Sequence, residues 1–156
     1  MAAMSDFLEN KLLDWLFRGQ ALGITGASAG AGSGPTALFV GLYTANPTDV
    51  AGGTEVTGGS YARVSVASAL ANWAGTQAAA STVASSGTSG TTSNNGAITF
   101  PAPSANWGVV TGFALFDAVS GGNMLIWGAL TTSKTVNNGD AAPVFSAAAL
   151  SFQIDN

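Results

Sequence analysis

Val109-Val-Thr-Gly-Phe-Ala-Leu-Phe-Asp-Ala-Val-Ser-Gly-Gly-Asn-Met-Leu-Ile-Trp-Gly-Ala-Leu-Thr-Thr132 reads as two strands and the turn between them. Val109 to Asp117 and Asn123 to Thr132 are rich in β-branched and aromatic side chains, and Ala118-Val-Ser-Gly-Gly122 supplies the glycines of a tight reversal. In the second strand Leu125, Trp127 and Ala129 face one way and Met124, Ile126 and Gly128 the other. Both sets are apolar, so this strand is expected to lie centrally or between two layers.

The flanking sequence extends the same pattern. Thr36 to Tyr43 is an apolar run that ends at the turn Asn46-Pro47-Thr48-Asp49. Tyr61 to Ala67 alternates, with Ala62, Val64 and Val66 on one face and Tyr61, Arg63 and Ser65 on the other. Ala97 to Phe100 is a short strand closed by Pro101 and Pro103. After the turn Asn137-Asn138-Gly139-Asp140, Leu150 to Asp155 places Leu150, Phe152 and Ile154 inward. About seven or eight short strands with Gly, Asn and Pro turns predict a mainly β body over residues 35–156, a β-sandwich or jelly-roll-like fold. Residues 75–96 are almost all Ala, Ser, Thr, Gly and Asn, without an apolar stripe. They are expected to form an exposed excursion from the body.

Residues 6–18 carry the one helical pattern, within an arm at 1–20. Ser5 suits a cap, Asp6 and Glu9 the first turn, Arg18 the last, and Gly19 the stop. Leu8, Leu12, Trp15 and Leu16 share one face, and Phe7, Leu13 and Phe17 widen it. So short a helix needs a docking partner, either its own body or a neighbouring subunit. Phe7, Leu8, Leu12, Trp15 and Leu16 are the candidate interface residues. The polar face lacks the Lys/Arg excess of a membrane-surface helix, so no membrane partner is expected. Residues 21–34, rich in Gly, Ala and Ser, read as a flexible linker.

Charge is scarce: 4 Lys+Arg and 8 Asp+Glu in 156 residues, no His and no Cys. Four basic residues fall short of the roughly 6–10 phosphate contacts of a strong nucleic-acid binder, so no nucleic-acid partner is expected. Without His or Cys, the usual nucleophile–base pairs and thiolate metal sites are absent. Asp49, Glu55, Asp117 and Asp140 are the carboxylates a glycosidase pair would need, yet each adjoins a turn where acidic residues serve backbone geometry. Asp49 and Glu55 lack the alternating oxygen ligands of a calcium loop. The glycines at 23, 26, 30, 32 and 34 follow a helix and lack the lysine of a phosphate loop. No catalytic residue, metal or cofactor is therefore expected. Arg63, a lone cation in a neutral stretch, calls for a carboxylate among Asp49, Glu55 and Asp117, or for one on a neighbouring subunit. Trp73 and Trp107, each after an asparagine, are the candidate exposed aromatics.

Several stretches bring a family into view: Leu38-Phe-Val-Gly-Leu-Tyr-Thr44 with Asn46-Pro47-Thr48-Asp49, Gly53 to Arg63, and Ile98-Thr-Phe-Pro101. Trp107 to Asp117, Gly121 to Leu125, Gly128 to Thr131 and the N-terminal Ser5 to Asn10 belong with them. With these the chain resembles small tailed-bacteriophage virion structural proteins, tail-fibre-like or capsid-decorating. The resemblance implies a virion component. Low charge and the apolar helix then favour a decoration, or cement, protein on the head. It would bridge subunits of the major capsid protein and associate with copies of itself as a trimer or dimer. The alternative is a tail or tail-fibre module that reaches a host receptor or glycan.

Overall fold

The computed structural model describes residues 4–24, 34–50 and 52–154. The elements are α1 (Asp6–Arg18), β1 (Ala37–Ala45), β2 (Thr54–Glu55), β3 (Val64–Ala67), β4 (Thr91–Ser93), β5 (Ile98–Thr99), β6 (Gly108–Phe116), β7 (Met124–Val136), β8 (Val144–Phe145) and β9 (Ser151–Gln153). The fold is mainly β, with antiparallel sheets and one N-terminal helix, as the strand patterns predict. Two compact units emerge: residues 1–37, 67–98 and 145–156, and residues 38–66 and 99–144.

The second unit is built on a five-stranded sheet, ordered β2-β1-β6-β7, with β3 also paired to β1. β1 and β6 run antiparallel, with Val40 opposite Leu115 and Leu42 opposite Phe113. Leu38, Val40, Leu42, Val110, Phe113 and Leu115 are buried. The alternate face carries Tyr43, Ala114 and Phe116, packed with Phe39, Met124 and Trp127. Side chains that alternate across a strand give each face its own apolar set, which accounts for the unbroken run in β1.

The hairpin of β6 and β7 pairs Ala114 with Trp127 and Leu115 with Ile126, with register shifts at Val110/Gly112 and Leu115/Phe116. β7, however, is the outermost strand of the sheet, not a central one. The next strand in sequence, β8, pairs with β5 instead. The register shift between Leu115 and Phe116 leaves Leu125 as a bulge, so Met124 packs on the same face as Trp127 and not with Ile126 and Gly128 as strict alternation predicts.

In the first unit α1 docks through one face on its own chain. Gly19 closes it at φ 66 with its N–H on the Asp14 carbonyl, the left-handed stop that glycine adopts without a Cβ penalty. A Cβ there would also collide with the Ser68 carbonyl oxygen. The buried stripe is Glu9, Leu13, Asp14, Phe17 and Arg18. It lies beside the face that the leucine spacing singles out. Leu8, Leu12, Trp15 and Leu16 are half-buried and Phe7 is 57% exposed. The linker reading at 21–34 falls mostly on residues 25–33, outside the described residues.

The segment expected to be an exposed excursion, residues 75–96, is exposed over most of 77–89, yet it also cradles α1 through hydrogen bonds at Thr76, Ser81, Val83, Ser85 and Gly87. Thr76, Thr92, Ser93 and Asn94 are buried, and β4 pairs antiparallel with β9, Thr92 opposite Phe152. Asn94 holds the layer together. Its Nδ2 donates to the Gly96 and Ser146 carbonyls at 2.7 and 2.8 Å, and its Oδ1 accepts from the Leu150 N–H at 2.9 Å. Short hydroxyl and amide side chains fold here by bonding to distant backbone, which leaves no apolar period to read.

Candidate functional site

In the second unit the pairing of Tyr43 with Glu55 carries the Glu55 carboxylate to Gly41. A Cβ on Gly41 would lie 2.9 Å from Glu55 Oε1 and 3.2 Å from both the Phe116 ring and the Tyr61 hydroxyl. Glycine at 41 leaves the space in which Glu55, Tyr61 and Arg63 meet.

Arg63 grips Glu55 with two bonds, Nε to Oε1 and Nη2 to Oε2, each 2.8 Å. Its Nη1 donates to the Ala118 and Gly121 carbonyls at 3.0 and 2.8 Å, and the guanidinium lies 3.3 Å above the centre of the Phe116 ring. The bidentate fork and the ring stacking suit arginine and would not suit lysine. The Tyr61 hydroxyl donates to Glu55 Oε1 and accepts the Leu42 N–H, both at 2.9 Å. Burial, reinforced by the Glu55 charge, pushes the Tyr61 phenol well above its ordinary value, and the hydrogen bonding that Arg63 donates to Glu55 raises Arg63.

The cluster fastens the hairpin loop at 118–122 to the sheet. The loop is held from its other side by Asp117, whose Oδ1 and Oδ2 accept the Asn123 N–H and Nδ2, each at 2.7 Å. These bonds, the side-chain one foremost, hold Asp117 below the usual aspartate range. Val119, 62% exposed, thus projects from a loop fixed at both ends. A cleft of about 380 Å³ opens beside it, lined by Glu55, Tyr61, Arg63, Val119 and Gly121 among others.

Of the three carboxylates weighed for Arg63, Glu55 is the partner. Asp49 accepts the Trp127 indole N–H at 3.1 Å, and Asp140 accepts the Asn137 N–H at 2.8 Å. Asp49 and Glu55 therefore serve separate partners. No group of three or more His, Cys, Asp or Glu side chains among the described residues is placed to hold a metal ion.

Trp73 and Trp107 are not exposed: they retain 0% and 5% of their surface. Trp73 meets Phe17 at 5.0 Å and Phe152 at 5.9 Å between ring centres. Trp107 stands edge-on to Tyr61 at 5.4 Å and donates to the Gly59 carbonyl at 2.9 Å. The neighbouring asparagines mark turns, but aromatic packing decides where the rings go. A second cleft, of about 500 Å³, lies in the first unit and is lined by Thr76, Gln77, Ser89, Thr91, Ser93, Ser151 and small residues, with no ionisable side chain. Sequence reasoning missed Gly41 and Tyr61. Tyr61 did carry a signal, its place two residues from Arg63 on the same face.

Two outcomes test this cluster. Glu55→Gln leaves Arg63 facing an uncharged amide in a half-buried setting, and is expected to cost about 2 kcal/mol in urea denaturation. Tyr61 gives a pH dependence. Its folded pKa lies above the unfolded value, so its contribution is complete below about pH 10 and is lost as pH rises toward the folded value. Denaturation at rising alkaline pH should show the wild type losing stability. Tyr61→Phe should be less stable at neutral pH by about 1–2 kcal/mol, because the Leu42 N–H loses its acceptor, and should fall less steeply in alkali.

Residues 3–153 match the protein-family model described as Podophage GP4 fiber I protein gp80. A comparison with curated proteins found no significant match.

Proposed function

The chain belongs to the family of the podophage GP4 fiber I protein gp80, a tailed-phage virion structural family, and from that premise we propose that it is a tail-fibre component that meets the host surface without catalysing a reaction. The family match, spanning residues 3–153, carries this reading. It supports the fibre placement over the head-cementing role that low charge and the apolar helix favoured.

The geometry agrees with a contact role. The loop at 118–122 is pinned by Arg63 and Asp117, so presenting Val119 and Ser120 to a partner costs little further ordering. The hydroxyl-lined cleft of the first unit carries no charge and suits an uncharged polyhydroxyl ligand such as a neutral glycan. The four candidate carboxylates are engaged in turns and in the Arg63 pair, which favours scaffolding over hydrolysis.

Gold-labelled antibody against the chain, imaged on purified particles, tests the placement. Label at the tail, in a handful of copies per particle, is expected. Dense label over the head would return the chain to the cement role, for which the half-open helix face with Phe7 exposed is the supporting observation. Purified chain should also slow adsorption of the phage to its host. Unchanged adsorption alongside tail labelling would leave a fibre shaft role and remove host contact.

A further inference from the structure

The cleft of about 500 Å³ in the first unit has walls whose polar side chains are mostly committed to the fold. Thr92 Oγ1 donates to the Ala74 carbonyl at 2.7 Å, Ser89 Oγ to the Thr76 carbonyl at 2.8 Å and Thr91 Oγ1 to the Ser89 carbonyl at 2.9 Å. The Gln77 amide donates to the Ala84 carbonyl at 3.3 Å and accepts the Ser86 N–H at 3.2 Å. Two hydroxyls of the lining differ. Ser93 and Ser151 make no side-chain hydrogen bond among the described residues. They stand directly opposite each other in the pairing of β4 with β9, which puts both hydroxyls on one face with their Cβ atoms about 5 Å apart. Ser93 retains only 9% of its surface. A hydroxyl so buried is normally bonded, and the partner that Ser93 lacks has to enter from the cleft.

Building on the host-contact reading of this cleft, we propose that it is a saccharide site in which Ser93 and Ser151 together hold two neighbouring hydroxyls of one neutral sugar ring. Each serine hydroxyl donates one hydrogen bond and accepts two. So does each hydroxyl of a diol, so the two pairs can exchange bonds in either sense. The volume falls within the roughly 300–1,000 Å³ of small-ligand sites. Gly75, Ala78, Ala79 and Ala148 line the cleft with methyl groups and backbone, a surface for the C–H face of a ring. With no ionisable side chain in the lining, an acidic sugar would lose water without gaining a counter-ion. The committed side chains are already ordered, so closing on a ligand costs them little further freedom.

Amide shifts of the isotope-labelled full chain, titrated with three neutral methyl glycosides, test the site. The α-mannopyranoside, β-galactopyranoside and β-glucopyranoside present cis and trans vicinal diols between them. At least one is expected to bind with a Kd of about 1–10 mM, the scale for a ligand of so few atoms, and to move the amides of residues 75–79, 91–93 and 148–151. Methyl β-glucuronide should not bind. Ser93→Ala and Ser151→Ala should each weaken binding about three- to tenfold and melt as the wild type does, because neither hydroxyl holds the fold. Ser151 is exposed, so its variant reports on the site even if Ser93→Ala proves unstable. No shift with any of the three glycosides, shifts centred elsewhere, equal binding of the glucuronide, or unaltered affinity in Ser151→Ala would each overturn the proposal. Tail labelling and slowed adsorption alongside any of those results would keep host contact and remove the saccharide site. Head labelling alongside the expected shifts would remove host contact and keep the site.

Discussion

Replacing Arg18 by alanine is expected to lower stability by about 3–5 kcal/mol, the largest effect of any single charge removal in this chain. Arg18 has 0% of its surface exposed. Its Nη1 donates to Asp14 Oδ1 at 2.7 Å and to Ser85 Oγ at 3.0 Å, its Nε to the Trp73 carbonyl at 3.0 Å, and its Nη2 to the Ser81 and Val83 carbonyls. Asp14 in turn accepts from the Ser85 N–H and hydroxyl. One guanidinium therefore neutralises a buried carboxylate and satisfies three carbonyls of the segment that cradles α1. Removing it strands both. At roughly 2–4 °C per kcal/mol for a chain of this size, the melting temperature should fall by about 10 °C. The pair alone is not the whole effect. Asp14→Leu with Arg18→Met replaces both charges by apolar groups, which in a pure ion pair is often neutral. Here the double variant should stay well below wild type, because the Trp73, Ser81 and Val83 carbonyls lose their donor. Full recovery would show that the charges, and not the carbonyls, make Arg18 necessary.

Trp73→Ala should cost about 3–5 kcal/mol by opening a cavity in the same unit. Trp73 is fully buried between Phe17 of α1 and Phe152 of β9, and the Phe17 and Phe152 rings also meet, at 5.1 Å. The three rings join helix, cradle and closing strand. Trp73→Phe should retain much of the packing and lose about half as much. Thermal denaturation and near-ultraviolet dichroism read both. An alanine variant that melts like wild type but binds host cells poorly would restore Trp73 to the exposed contact role expected from its place after Asn72.

What could be read from local pattern is substantial. The hairpin of β6 and β7, the apolar run of β1, the closing strand around Phe152 and the stop of α1 at Gly19 follow from alternation and turn glycines, whereas Ser5, at the N-cap position, makes no side-chain cap bond. The need of Arg63 for a carboxylate was also legible, because a lone cation in a neutral body has to be compensated. The choice of Glu55 over Asp49 and Asp117 was not. It depends on the register that sets Glu55 beside Tyr43 and on the gap left by Gly41.

Alternation and composition were enough for the strand-rich class, the single capped helix, and the lack of histidine and cysteine chemistry, since these depend on each residue and its near neighbours. Three matters belonged to the tertiary structure. Leu13, Phe17 and Arg18, and not Leu12 and Leu16, form the stripe by which α1 docks, because a helix apolar over most of its girth takes its orientation from the surface that receives it. Residues 75–96 are a hydrogen-bonded cradle, because hydroxyl and amide side chains bind backbone far away in sequence and leave no period behind. And β7 stands at the edge of its sheet, because the pattern of a strand records which of its faces are apolar but not whether another strand lies beside it.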